Sequence, residues 1–477
     1  MKSSTRNSIS GGSNRLEIKQ ARGMFIQRGR KQGYPDHARS MVFNPTGLTA
    51  LLWELPFWFG AAIWTLLPTT KTPWLTLGDI PVNSRVILAL LLAGCYSVFL
   101  LDVMFREKNL LLQRGFHKTE QSAWAYHLPM FTGFIFLYMS LSVTWSGMTE
   151  RAAVAMLIAL AGAGAAFILG YMMISKRSPE VIEGFLWRVT ILLAGVGLLY
   201  SAESFFTLGL RTETFTGGEF GIARVKGPLF ASSTGFFVLL PALGFGIQMT
   251  LRRRWGAVLI VFALILTILG SGSRAGVYLL GLYVLLLILS IRGKQRLVTG
   301  VVFLVLTATA GAFVFSNAQM ERLLSTTSEG RSKTHEIAWQ LIENRGVIEN
   351  LFGPGYGAYW VWYLQEADYR DEIFRPWKNE FRGVSTPYGR MLYHPHSVFL
   401  ALALELGAVG VLYYTSLWGV LLSLLRRSIR GVPFSAFSLA VVASGFGMFF
   451  DLFIFRDPPL NVFWWIYLFG ALALSRG

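Results

Sequence analysis

Apolar runs of 16 to 29 residues recur along this chain, and at 1.5 Å rise per residue a run of about 20 crosses a ~30 Å hydrocarbon core as a helix. They fall at 47–68, 86–105, 125–145, 152–174, 185–206, 229–250, 255–270, 276–291, 297–316, 396–424, 433–454 and 460–475. A helix satisfies its backbone hydrogen bonds within one segment, which lipid demands of anything that spans it. The expected fold is therefore an all-α, polytopic integral membrane protein with about 12 transmembrane helices. Composition agrees: of 477 residues, 53% are hydrophobic and 14% charged, where a soluble domain carries about 25% charge. A secreted, cytosolic or disordered chain is excluded.

The net charge of +17, from 43 Lys and Arg against 26 Asp and Glu, would suggest a nucleic-acid partner in a soluble protein. Here its distribution reports orientation instead, because basic residues are retained on the cytoplasmic side during insertion. With both termini inside, the cytoplasmic segments hold 26 basic residues, counting Arg188 in the first turn of the fifth run, and the short outer loops 8; the other 9 lie in the long stretch 317–393, which the rule exempts. Four parts follow: a basic, disordered cytoplasmic tail (1–46), helices one to nine (47–316), a long and partly helical outer loop (317–393), and the last three helices (394–477). The tail carries Arg22, Arg28, Arg30, Lys31 and Arg39 without an accompanying apolar face, so it reads as a topology signal more than a lipid-binding device. No short apolar segment with a small-residue cleavage site follows a charged start, so no cleavable signal is expected. Cys95, the single cysteine, excludes a disulfide framework and a thiolate metal cluster.

Chemistry-bearing residues gather at the outer boundaries. Arg224 sits in GIARVKGPLF, with Lys226 two residues on; Arg274 sits in LGSGSRAGVYLL; Arg331 opens RSKTHEIAWQLIENR; His394 and His396 form YHPHS. A boundary arginine either snorkels to the headgroups or binds an anion, its guanidinium fork matching phosphate oxygens. Arg274 favours the second use, since Gly272, Ser273, Ala275 and Gly276 admit a close approach and a helix N-terminus adds amide donors. Arg151 and Arg211 lack such surroundings and read as anchors. His396, beside Pro395 at a helix start, is placed to take a proton near neutral pH. A His394/His396 metal site would need further ligands, and no HExxH or cysteine partner supplies them, so no metal is expected. His335 follows Arg331 by four residues and shares its helical face, next to an apolar face of Ile337, Ala338 and Leu341. A structural loop helix accounts for it. The turn FGPGYGAYW lacks the GK[ST] ending of a phosphate loop, which argues against nucleotide binding.

These residues, in order, resemble the O-antigen ligase and O-antigen polymerase-like membrane proteins. His396-Ser397, followed at a distance by Gly407-Ala408-Val409-Gly410, is similar to the family's histidine signature. Arg224 with Gly235 is similar to its arginine signature, and Ser271-Gly272-Ser273-Arg274 to its small-residue-plus-Arg turn. Arg331 with Trp339 and FGPGYG resembles the segment before the histidine. The resemblance implies a GT-C-type glycosyltransferase in the bacterial inner membrane, acting without metal or other cofactor on the periplasmic face. The donor would be a polyprenyl-pyrophosphate-linked glycan and the acceptor a glycan or lipid, a lipid A core among the candidates, with no nucleic acid involved. Arg224 and Arg274 would neutralise the pyrophosphate, and His396 would act as general base in an inverting transfer. Arg331, His394, Ser397, Lys226 and His335 would bind substrate. Ligases and chain polymerases share these motifs. A glycan-lipid flippase or anion transporter is the rival of another class; against it, the polar residues collect on one face and no broken helices match between two halves.

Overall fold

The computed structural model describes residues 48–66, 73–77, 80–106, 123–146, 150–175, 177–206, 235–252, 254–271, 273–290, 305, 329–358, 385–386, 389–390, 397–449 and 457–475. The tail 1–46, most of the ninth apolar run and most of the long loop lie outside them. The described chain is mostly helical. Its helices are α1 (Leu48–Leu66), α2 (Ser84–Arg106), α3 (Ala123–Ser142), α4 (Glu150–Ile174), α5 (Pro179–Phe206), α6 (Phe236–Leu251), α7 (Ala257–Gly270) and α8 (Arg274–Ser290). After these come α9 (Glu329–Glu343), α10 (Val347–Phe352), α11 (Val398–Ile429), α12 (Ser435–Gly445) and α13 (Pro458–Leu474). Two short antiparallel ladders accompany them: β1 (Pro73–Leu77) pairs with β2 (Ile80–Asn83) just before α2, and β3 (Ser385–Thr386) with β4 (Gly389–Arg390). Sequence pattern gave no sign of either.

Among the described residues, four stretches are long and apolar enough to cross a membrane: His127–Trp145, Ala153–Ile174, Pro179–Glu203 and Val398–Ile429. The apolar helices α6, α7, α8 and α13 are shorter. Large apolar side chains lie outside as well as inside: Phe59, Met130 and Leu259 are 66%, 76% and 74% exposed, while Trp64, Phe185, Phe237 and Trp464 are fully buried. A helix apolar all round belongs in lipid or in a large core; with so many such faces left uncovered, these helices suit a membrane.

Packing is close where glycine allows it. A Cβ on Gly244 of α6 would overlap Ala440 of α12, and one on Gly170 of α4 would press on Trp465 Cβ of α13. These two helix pairs, with α2 on α4 and α5 and α6 on α7, form the body of the bundle. Small residues substitute for the hydrophobic effect, which does not drive helices together in lipid. Side-chain hydrogen bonds cross between helices at Thr190–Tyr467 (3.0 Å) and Trp464 Nε1–Ser444 Oγ (3.2 Å).

The two ends of the bundle are built differently. At one, Glu183 near the start of α5 receives Arg252 at 2.8 Å and Arg254 at 3.3 Å from the α6–α7 turn, and the Arg252 guanidinium lies 3.8 Å over the Phe434 ring. Arg426 and Arg427 close α11. At the other end Arg85 of α2 pairs with Asp457 at the start of α13, at 2.8 Å.

Charge also enters the spans. Glu54 of α1 is 2% exposed, and Arg188 Nη2 of α5 donates to its two carboxylate oxygens at 2.6 and 2.9 Å. Trp58 Nε1 adds a third bond at 3.0 Å. Glu203 and Glu405 are buried as well. Each is a lone acid in an apolar run, so their positions were visible, whereas their partners were not.

Candidate functional site

Four elements come together at the Arg85 end of the bundle: the starts of α8 and α11, the amphipathic α9, and the glycine turn after α10. Ser273 caps α8, its Oγ accepting from Gly276 N at 3.2 Å, and its own amide donates to Ser271 Oγ at 3.3 Å. This is the N-cap role that serine fills well. The two serines thus build the turn from which Arg274, half-buried, emerges as the first residue of α8. A Cβ on Gly276 would stand in ordinary contact with Phe236 at 3.4 Å, so the start of α8 lies beside the start of α6.

Helix α11 begins just after the histidine pair. Ser397 is its cap, with extended backbone and Oγ accepting from Leu400 N at 3.4 Å. The helix has 32 residues but is broken at Gly407, where φ 58° and ψ −141° leave helical geometry. Only glycine adopts such a conformation readily. The part beyond the break, Ala408–Ile429, covers about 30 Å, the thickness of a hydrocarbon core. The part before it, Val398–Leu406, is buried almost throughout.

The broken helix is completed by the glycine turn. Gly355 N donates to the Glu405 carbonyl at 3.1 Å, satisfying a backbone acceptor at the break. Tyr356 N donates to Ser142 Oγ at 2.9 Å, and Tyr138 hydroxyl donates to the Phe352 carbonyl at 2.6 Å, so the turn is also fastened to the end of α3. Gly353, Gly355 and Gly357 all have positive φ, and a Cβ on Gly407 would meet Asn350 O and Gly353 N. FGPGYG and Gly407 are thus two halves of one fitting. Gly410 lies close to the Leu402 carbonyl, where a Cβ would not fit. Burial pushes the Tyr356 phenol well above its ordinary value near 10, and the Glu405 carboxylate pushes the same way. The phenol therefore stays protonated.

Helix α9 rests on α11. Ala338 and Leu341 are buried, and Trp339 packs against Phe399 with ring centroids 6.0 Å apart, so the expected apolar face is used. Phe399 continues into an aromatic cluster of Tyr414, Trp418, Phe446 and Phe449. His335 is half-buried, and its Nε2 is buried without a hydrogen-bond partner.

Of the residues singled out from sequence, Arg274, Arg331, His335 and Ser397 lie within described elements; Arg224, Lys226, His394 and His396 lie outside the described residues. Sequence reasoning passed over Tyr138, Ser142 and Glu405, which with the FGPGYG turn assemble the fitting. Only Glu405 carried a signal, as a charge inside LALALELGAVG. Among the described residues no group of His, Cys, Asp and Glu could hold a metal ion. The chain matches no family model and no curated protein.

Proposed function

We propose that this chain is a polytopic membrane glycosyltransferase of the O-antigen ligase type. In this reading about 12 helices span the bacterial inner membrane with both termini cytoplasmic, in a GT-C-like bundle with a long periplasmic loop between helices nine and ten. It moves a glycan from polyprenyl pyrophosphate to an acceptor hydroxyl at the periplasmic face, without a metal. The observation that carries the reading is the broken α11, held open at Gly407 by the glycine turn directly after the YHPHS segment. Irregular backbone at membrane depth is tolerated where it is buried in protein or lines a cavity, and secondary transporters place substrate sites at such breaks, so the break marks a candidate substrate site. The arginine pairs at the Glu183 end suit a cytoplasmic face, which leaves the Arg274 and Ser397 end outside.

His396 takes the proton of the acceptor hydroxyl as its oxygen bonds to the anomeric carbon. The bond from that carbon to the phosphate oxygen breaks from the opposite side, inverting the centre and releasing polyprenyl pyrophosphate. Arg224 and Arg274 neutralise the charge that develops on the leaving group, with Arg331 and Lys226 in support. His394 orients His396, and Ser397 fixes where the helix begins. His335 lies one turn after Arg331 on α9, within the proposed substrate-binding group.

A deletion strain tests this. Finished polymer accumulating on its lipid carrier supports a ligase, and single repeat units on the carrier point instead to a polymerase of the same family. Carrier-linked glycan stranded on the inner face would overturn the enzyme reading in favour of a flippase.

A further inference from the structure

Helix α13 carries Asp457, Asn461 and Trp465 at successive four-residue steps, which places them on one face. The helical bond from Asn461 N to Asp457 O, 2.9 Å, shows that the register holds to the first turn. This face meets α2, through Arg85 on Asp457, and α4, through Gly170 and Phe167 on Trp465. Asn461 and Trp465 are fully buried and Asp457 is 9% exposed.

Arg85 occupies one carboxylate oxygen of Asp457. The other, Oδ1, is buried with no hydrogen-bond partner, as are both Oδ1 and Nδ2 of Asn461 and Nε1 of Trp465. Exchanging the amide atoms of Asn461 does not help, because neither is bonded. The neighbouring Trp464 is the contrast: its Nε1 donates to Ser444 Oγ. Buried polar groups are satisfied as a rule, and most strictly in segments surrounded by lipid.

The unmet demand is mixed. Two oxygens need donors, and two N–H groups need acceptors. A cation would suit the oxygens alone and an anion the N–H groups alone, while Arg85 already balances the carboxylate charge. Water both donates and accepts without charge, and buried waters make about three such bonds.

We propose that this face of α13 is an internal hydration site, holding ordered water between α13, α2 and α4. The site is separate from the transfer chemistry and does not depend on it. Its water adds to the Arg85–Asp457 pair in linking the first turns of α13 to the helices beside it.

Hydroxyl radicals made by millisecond X-ray radiolysis of water mark buried side chains only where water lies beside them. The experiment is radiolysis of the full chain in lipid nanodiscs, with Trp464 and Trp465 resolved by fragmentation mass spectrometry. Both indoles are fully buried, so bulk access does not separate them. Trp465 is expected to oxidise several-fold faster than Trp464, and Asn461→Leu, similar in shape, to bring the two rates together. Equal rates in the unsubstituted protein would overturn the proposal, and so would a Trp465 rate unchanged by Asn461→Leu. The unsubstituted comparison decides by itself if the variant does not fold.

Discussion

Replacing Gly407 with alanine tests the fitting between α11 and the glycine turn. Gly407 holds φ 58° and ψ −141°, a conformation that costs a side-chain-bearing residue roughly 1–3 kcal/mol. Its new Cβ would also meet Asn350 O and Gly353 N, which are backbone atoms and cannot rotate away. Pushing the turn off α11 loses the Gly355–Glu405 hydrogen bond, worth about 1 kcal/mol. The expected loss is therefore about 2–4 kcal/mol. Gly419 lies on the same helix in regular geometry with open space around its Cβ position, so Gly419→Ala should be neutral or stabilise by up to ~1 kcal/mol. Equilibrium unfolding of both variants by SDS titration from mixed micelles, followed by tryptophan fluorescence, gives the two shifts. The two shifts should have opposite signs or differ by a clear gap. Matching midpoints would refute it.

Other substitutions probe the remaining supports. Ser142→Ala strands the buried Tyr356 amide and should cost about 1–3 kcal/mol in the same titration, while Ser140→Ala, whose hydroxyl only returns to its own helix, should cost less. Glu54→Gln keeps one acceptor oxygen, which in the place of Oε2 still serves Trp58 and Arg188, and should be milder than Glu54→Ala, for which a loss of ~1–3 kcal/mol is expected, with Arg188 half-exposed. Arg252→Ala removes a partly exposed ion pair and a cation–π contact; at about 1 kcal/mol, its effect should shrink in high salt. In a transfer assay, Arg274→Lys keeps the charge but not the fork, so turnover should fall while folding holds; undiminished turnover would argue against a phosphate clamp.

Helix positions were legible because apolar runs of spanning length admit little else. Helices occupy the run from 47 to 68 and those that follow it, apart from 297–316, which falls almost wholly outside the described residues. The Ser271–Arg274 turn was legible too: small residues before an arginine at a helix start became a capped N-terminus. The pairing of FGPGYG with Gly407 was not. It joins segments about 50 residues apart through backbone atoms, and the polar members of the fitting, Tyr138 and Ser142, look like ordinary residues of an apolar span. Gly407 and Gly410 were read as a family signature; the physical need behind them is a positive φ at one and close approach to the Leu402 carbonyl at the other. The Glu54–Arg188 pair is hidden for the same reason, since neither charge announces a partner in a distant helix.

The transfer reaction itself is the most direct test. Purified protein in nanodiscs, given a defined polyprenyl-pyrophosphate-linked glycan and candidate acceptors with chelator present, should form glycosylated acceptor and release polyprenyl pyrophosphate. His396→Ala should slow this by roughly 10²–10⁴-fold. Transfer at full rate by His396→Ala, or none by the unsubstituted protein with any acceptor, would contradict the account.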